Sequence, residues 1–208
     1  MEGQYNKHFS NHLQREMEYK TYGKKGRPVL IFPSQDGRYF DFENFGMIDV
    51  LAPWIEKGEI RAICVDGIDG ETWSNRSADN RWRIEQHERW YHYITEELIP
   101  EVRKRKTETF IVTGCSMGAF HAGNFFFRRP DIFDSVIALS GLYTAGYGFP
   151  MYSDELTFMN SPIDFLREMP ADHPWMDLYK KRNIYICVGQ HLGPLAPYGH
   201  DLVSHPPH

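Results

Sequence analysis

Gly114-Cys115-Ser116-Met117-Gly118 is a Gly-x-Ser-x-Gly pattern that lies between a strand-like run and a helix-like run. Residues 109–113 are β-branched and aromatic, which is typical of a buried strand. Residues 119–129 suffice for about three helical turns, and Pro130 follows as a stop. A strand, a sharp turn and a helix are the context of a nucleophile elbow, in which the serine has a strained backbone conformation. The pattern therefore predicts Ser116 as a catalytic nucleophile.

Strand-like and helix-like runs alternate on both sides of this pattern. Strands are predicted at 14–22, 28–32, 60–65, 109–113, 136–141 and 184–188, and helices at 46–57, 81–106 and 119–129. The first strand has the polar–apolar alternation of an exposed antiparallel strand, and Pro100 is expected to kink or divide the second helix. Such alternation indicates a mostly parallel central sheet with helices on both faces. Together with the elbow it predicts an α/β-hydrolase fold.

The whole chain, residues 1–208, is expected to form a single domain, since 208 residues suffice for one well-packed core and are few for two. Residues 142–182 mix Gly, Pro and aromatic residues and are interpreted as an irregular, cap-like insertion. Residues 190–208 have no periodicity that would support a helix. The fold is therefore predicted to be truncated or atypical at its C-terminus.

Composition and charge exclude several classes of protein. A net charge of -5 gives no electrostatic reason to expect a nucleic-acid partner. No run approaches the ~18 apolar residues of a membrane span, and residues 1–8 contain no apolar signal core. The 3 cysteines are an odd number, which fits a reducing compartment better than a disulfide framework. We expect a cytoplasmic protein without a membrane partner.

An ester-cleaving serine also needs backbone amides that stabilise the developing oxyanion. In an α/β-hydrolase arrangement one amide belongs to the residue after the serine, which is Met117, and the other to the loop after the third strand. Gln35 is the predicted second donor, because it directly follows the Pro33-Ser34 pair that ends this strand. A simple turn is the alternative interpretation of residues 33–37.

The base and the acid are expected late in the chain, because the order in this fold is serine, acid, histidine. His205 is the predicted base, since Gly199-His200-Asp201 could close a last strand before it. Asp201 is the predicted acid, being the only carboxylate after the last clear strand. The alternatives are His191, His200 or His208 for the base, and the earlier Asp172 or Asp177 for the acid.

Three further groups of residues have structural interpretations. His121 lies five residues after Ser116 on the same predicted helix, where a core histidine is expected. A Gly-rich loop after a strand explains Asp66, Asp69 and Glu71 better than a divalent cation does. The histidines of the tail lack the spacing of zinc ligands. We therefore predict no metal and no cofactor.

Several separated stretches carry a family resemblance: residues 29–34 with 37–43, 64–73, 81–83 with 85–88, and, most specifically, 114–130. Over roughly residues 14–190 the chain resembles the small bacterial putative esterases of the α/β-hydrolase superfamily, which are related to esterase D (S-formylglutathione hydrolase), enterochelin-esterase-like proteins and mycolyltransferases. The resemblance implies an acyl-ester hydrolase with Ser116 as nucleophile and Gln35 and Met117 as oxyanion donors.

The resemblance ends near residue 190. Members of the family continue with an acid-bearing helix, a last strand and a closing helix, whereas residues 190–208 depart from this pattern. Loss of that cover from one face and edge of the sheet predicts homo-oligomerisation or low stability.

These observations predict a serine carboxylic-ester hydrolase that acts on small-molecule acyl esters through an acyl-enzyme on Ser116. Two alternatives remain open. One is a catalytically impaired hydrolase-fold protein that binds a ligand without turnover. The other is an acyltransferase, which would pass the acyl group from the same serine to an alcohol instead of water.

Overall fold

A seven-stranded sheet is the central element of the computed structural model, which describes residues 1–189. The strands are β1 (Gln4–Ser10), β2 (Arg15–Tyr22), β3 (Arg27–Phe32), β4 (Ile60–Val65), β5 (Phe110–Cys115), β6 (Phe133–Leu139) and β7 (Asn183–Cys187). Their spatial order is β1-β2-β4-β3-β5-β6-β7. β2 is antiparallel to both of its neighbours, β1 and β4, whereas the strands from β4 to β7 run parallel. The prediction of a mostly parallel sheet is confirmed.

Helices cover both faces of this sheet. They are α1 (Asp41–Asn44), α2 (Met47–Glu56), α3 (Asn80–His92), α4 (Ile99–Val102), α5 (Met117–Arg128), α6 (Glu155–Met159), α7 (Pro162–Glu168) and α8 (Pro174–Tyr179). Alternate residues of β3 show the two layers, because successive side chains of a strand point to opposite faces. Leu30 and Phe32 belong to the core formed with α3 and α5, and Val29 and Ile31 to the core formed with α2. This is the predicted α/β-hydrolase fold; the predicted atypical tail, 190–208, lies outside the described residues.

The N-terminal region corrects the sequence interpretation, which placed the first strand at 14–22. β1 precedes it and pairs with β2 along its whole length, from Gln4 opposite Thr21 to Ser10 opposite Arg15. β1 is an edge strand whose side chains are mostly exposed or half-buried. Burial therefore imposes no apolar alternation on its sequence, and no pattern marks it as a strand.

The long helix predicted at 81–106 is interrupted and ends earlier. α3 runs into a π-helical turn, Tyr93–Leu98, and α4 then ends at Val102. Pro100 explains the interruption, because proline lacks an N–H and its ring clashes with the carbonyl four residues earlier in a regular helix. That carbonyl belongs to Glu96, which lies inside the wider π-helical turn.

The interpretation of residues 142–182 as irregular is wrong. They contain a 3₁₀ turn, Ala145–Tyr147, and the three short helices α6, α7 and α8. Helices of five to seven residues are too short to show a helical period. Only their first residues mark them in the sequence, through the capping box of Asp154 and Thr157 and the first-turn residues Pro162 and Pro174.

A buried polar cluster anchors α6 to α3 and α5. Arg128 donates from Nη1 and Nη2 to the two carboxylate oxygens of Glu88, at 2.7 and 2.9 Å. Asn160, which caps the end of α6, donates to Glu88 Oε1 at 2.5 Å and accepts from Arg128 Nη1 at 2.7 Å. The guanidinium also lies 3.7 Å from the ring centroid of Tyr91. The segment after β6 is thus fixed to the body of the fold by charged hydrogen bonds.

Glu88→Gln is expected to lower the free energy of unfolding by about 3–5 kcal/mol at pH 7, because it leaves the buried Arg128 without its carboxylate. Burial raises the pKa of Glu88, but the hydrogen bonds and charge of Arg128 outweigh it, so this pKa lies below its ordinary range. Because the pKa of Glu88 is lowered, its pair with Arg128 stabilises the fold fully above about pH 4.3, the ordinary pKa of a glutamate. The stabilisation is lost as the pH falls through the lowered pKa.

Urea unfolding at pH 7 and at about pH 3 measures this effect, and the difference between wild type and variant should shrink at the lower pH. Glu85→Gln is the matched control, since Glu85 lies on the same helix but forms an exposed pair with Arg81. It should cost less than about 1 kcal/mol. Equal losses in the two variants would show that the buried pair contributes nothing particular.

Candidate active site

Ser116 alone joins β5, which ends at Cys115, to α5, which begins at Met117. Its backbone has φ 57° and ψ -119°. A positive φ is rare outside glycine and costs about 1–3 kcal/mol. The Ser116 N–H donates to the carbonyl of Leu139 on β6 at 2.9 Å, which fixes the turn against the neighbouring strand. The side chain is exposed, so a hydroxyl stands at the carboxyl end of a central strand in a strained turn.

Gly114 and Gly118 make this turn possible. A Cβ on Gly114 would lie 2.4 Å from the backbone of Gly118, and a Cβ on Gly118 would lie 2.5 Å from the carbonyl oxygen of Pro33. Both distances are far shorter than any real carbon contact. The two glycines of the Gly-x-Ser-x-Gly pattern therefore let β5, α5 and the end of β3 approach closely around Ser116.

The backbone N–H groups of Met117 and Gln35, both at this site, have no acceptor among residues 1–189. Met117 is the first residue of α5, where free N–H groups and the positive end of the helix dipole are expected. Gln35 lies in the loop after β3, in which the Ser34 hydroxyl donates to the carbonyl of Cys115 at 3.4 Å. Donors of this kind can stabilise an oxyanion.

Both polar atoms of the Gln35 side-chain amide form hydrogen bonds. Its Nε2 donates to the Ser74 hydroxyl at 2.8 Å, and its Oε1 accepts from the Tyr147 hydroxyl at 2.8 Å. Ser74 lies between β4 and α3, and Tyr147 lies in the 3₁₀ turn after β6. Three loops are therefore held together beside Ser116, and the loop that carries Gln35 is fixed by side-chain contacts.

A cleft of about 400 Å³, open mouth included, contains Ser116. The space enclosed within it is about 80 Å³, well below the roughly 300–1,000 Å³ of pockets for drug-sized ligands, so the cleft suits only a small ligand group. Its floor is formed by buried apolar side chains and its mouth by polar and half-buried ones. The lining residues are Gln35, Trp73, Ser116, Met117, Phe120, Ser140, Leu142, Thr144 and Tyr147.

Sequence reasoning did not single out Trp73, Phe120 or Tyr147. The only signal was general, an aromatic share of 15% that predicts a core or cleft rich in rings. These residues come from three distant parts of the chain, and only the folded sheet brings them together.

The predicted base and acid, His205 and Asp201, lie outside the described residues, as do the alternative bases His191, His200 and His208. Within residues 1–189, neither a histidine nor a carboxylate lines the cleft. The alternative acid Asp177 forms an exposed ion pair with Lys180 instead. The roles of His205 and Asp201 therefore stay predictions from chain order.

His121 is a core histidine, as the sequence analysis expected. It is 1% exposed, its ring packs against Trp90 with centroids 4.9 Å apart, and its Nε2 lies 2.9 Å from Asp69 Oδ1. The sequence did not reveal this pair, because 52 residues separate its members.

The acids after β4 do not converge. Asp69 faces His121, whereas Asp66 accepts from Arg38 Nε at 2.7 Å and Glu71 accepts from Arg15 Nη1 at 2.6 Å. Three acids with three different partners favour the interpretation of a structured loop over that of a cation site.

Comparison with known families gives one match for this sequence. Residues 10–197 match the family described as Putative esterase. No curated protein matches the sequence.

Solved structures share this fold. An S-formylglutathione hydrolase from Agrobacterium tumefaciens is 16% identical, with a TM-score of 0.65 over 89% of this chain and 84% of that chain. FphF, a fluorophosphonate-binding serine hydrolase from Staphylococcus aureus, is 12% identical, with a TM-score of 0.64 over 91% and 81%. A ferulic acid esterase is 16% identical, with a TM-score of 0.63 over 82% and 73%. At such low identities the likeness concerns the fold.

Proposed function

Because this chain belongs to the Putative esterase family, and is thereby an esterase, we propose that it is a serine carboxylic-ester hydrolase that acts on small acyl esters through an acyl-enzyme on Ser116. One observation carries the proposal. The Ser116 hydroxyl stands in a turn of positive φ within a small cleft, and the backbone N–H groups of Met117 and Gln35 beside it have no acceptor among residues 1–189. Such a site can attack an ester carbonyl and stabilise the resulting oxyanion.

The proposed reaction has two halves. Ser116 Oγ attacks the carbonyl carbon and gives its proton to His205, while the N–H groups of Met117 and Gln35 donate to the oxyanion. The tetrahedral intermediate collapses, and the leaving alcohol takes the proton from His205. Water then attacks the acyl-enzyme by the same route and releases the acid. Asp201 would orient His205; both roles rest on chain order.

Residues 142–182 act as the cap of this site in our proposal. Leu142, Thr144 and Tyr147 from this segment line the cleft, and Asn160 anchors it to the body of the fold. Tyr147 also bonds to Gln35, so the cap and the proposed oxyanion loop are connected directly.

A cytoplasmic location is part of the same proposal, because Cys64, Cys115 and Cys187 are all free thiols. Among residues 1–189 there is no helix of the length and apolarity that crossing a membrane requires. Homo-oligomerisation stays a prediction.

Product analysis with p-nitrophenyl acetate tests the proposal against both alternatives. The wild-type protein should release nitrophenolate and acetate in equal amounts, with an initial burst that reports the acyl-enzyme. An acyltransferase would instead make mainly the acetate ester of an added alcohol such as methanol. Saturable binding of the ester without release of nitrophenolate would refute the hydrolase and leave the impaired binding protein.

A further inference from the structure

Trp73 forms the floor of the Ser116 cleft together with Met117 and Phe120. It lies in the loop between β4 and α3 and is 1% exposed. Only a small part of the indole therefore meets the cleft, and the rest is packed in the protein. A ligand bound at Ser116 would contact this part of the indole at the floor of the cleft.

Other aromatic rings hold the indole from two sides. Its centroid lies 4.5 Å from that of Phe120 and 5.1 Å from that of Phe149, both in edge-to-face arrangement. There is no free space on the side of Gly148, since a Cβ on this residue would lie 2.5 Å from the indole. The ring cannot swing aside without displacing the 3₁₀ turn of the cap.

His87 fixes the polar edge of the same ring. The Trp73 Nε1–H donates to His87 Nδ1 at 3.1 Å, within the buried core. Burial lowers the pKa of His87 well below its ordinary value, and the nearby His121 and Arg128 lower it further. The imidazole therefore stays neutral, with its proton on Nε2, and Nδ1 remains an acceptor for the indole.

Arg83 fixes the backbone around Trp73. Its buried guanidinium donates to the carbonyl groups of Thr72, Trp73 and Gly148 at 2.6, 3.0 and 2.8 Å. Its other partner is the amide oxygen of Asn80, so within residues 1–189 its partners include no carboxylate, although a buried charge is usually paired with one. This cation instead joins the loop of Trp73 to the cap across the floor of the cleft.

We propose that Trp73 is the residue that determines acyl-chain length, and that His87 is a positioning residue that holds its indole in place. The inference rests on the proposed function and adds the substrate class: esters of short acids fit above the indole, and longer acyl chains collide with it. Neither residue touches the reacting atoms of Ser116 in this account, so both act on selectivity more than on the chemical step.

The test is the ratio of kcat/KM for p-nitrophenyl acetate to that for p-nitrophenyl octanoate, which have the same leaving group. Trp73→Leu should lower this ratio by about tenfold or more, because each methylene that a pocket excludes is worth at least about tenfold. His87→Leu leaves the indole N–H without an acceptor and should lower the ratio about fivefold. His87→Asn places an amide oxygen near the position of Nδ1 and should restore the wild-type ratio.

Trp82→Leu is the matched control, since Trp82 lies nearby on α3 but is 43% exposed and does not line the cleft. Near-UV circular dichroism checks the folding of every variant, and Trp73→Phe takes the place of Trp73→Leu if the latter does not fold. The inference would be overturned if the Trp73 variant and His87→Leu both fold and keep the wild-type ratio. That result would leave the proposed esterase function intact. A wild-type protein that hydrolyses neither ester would overturn the proposed function, and the inference with it.

Discussion

Ser116→Ala is expected to lower kcat on p-nitrophenyl acetate by about 10⁴-fold or more, because loss of a catalytic serine removes the acyl-enzyme route altogether. The effect should lie in kcat, since alanine leaves the lining of the cleft otherwise intact. Alanine at a positive φ remains strained, so the fold should keep its stability to within about 1 kcal/mol. Steady-state kinetics together with urea unfolding separates loss of chemistry from loss of structure.

Ser153→Ala is a suitable control, because Ser153 is exposed in the segment between β6 and α6 and does not line the Ser116 cleft. It should retain wild-type kcat. If Ser116→Ala turned over the ester as fast as Ser153→Ala does, a different residue would carry the reaction.

His205→Ala is expected to lower kcat by a similar factor, about 10⁴-fold or more, because a serine hydroxyl is a weak nucleophile until a base removes its proton. The order of catalytic residues in this fold puts the histidine after the acid and late in the chain. It is consistent with a cleft in which, within residues 1–189, no histidine takes part. Steady-state kinetics on p-nitrophenyl acetate measures the loss.

His12→Ala controls for loss of a histidine as such, since His12 lies on the surface and pairs with Glu96. Full activity in His205→Ala combined with loss of activity in His200→Ala would assign the base to the alternative residue. Full activity in these two variants and in His191→Ala and His208→Ala would leave the proposed mechanism without a base in the expected part of the chain.

The central strands could be predicted because burial dictates their sequence. Residues 28–32 and 62–65 are continuous apolar runs, as strands covered on both faces require, and they lie in β3 and β4. β1 escaped prediction because an exposed edge strand needs no such run. The turn at Ser116 could be predicted for a further reason. Glycine is the only residue that fits at positions 114 and 118, so the turn produces a recognisable sequence pattern.

Contacts between distant parts of the chain could not be predicted. His121 and Asp69 pair across 52 residues, and the Tyr147 hydroxyl reaches Gln35 across 112. Neither contact can be predicted from the residues next to it in the sequence, because both depend on the order of strands in the sheet. The short helices of residues 142–182 could have been predicted, since Asp154, Pro162 and Pro174 are helix-start signals.

Peptide mapping after treatment with a fluorophosphonate tests most directly whether Ser116 is the nucleophile. Its Oγ should displace fluoride from phosphorus, with its proton leaving through the base as HF, and form a stable phosphonate ester. We predict a single modified peptide that carries the adduct on Ser116, with activity lost in proportion to labelling. An adduct on another residue, or an active protein that remains unlabelled, would contradict the account.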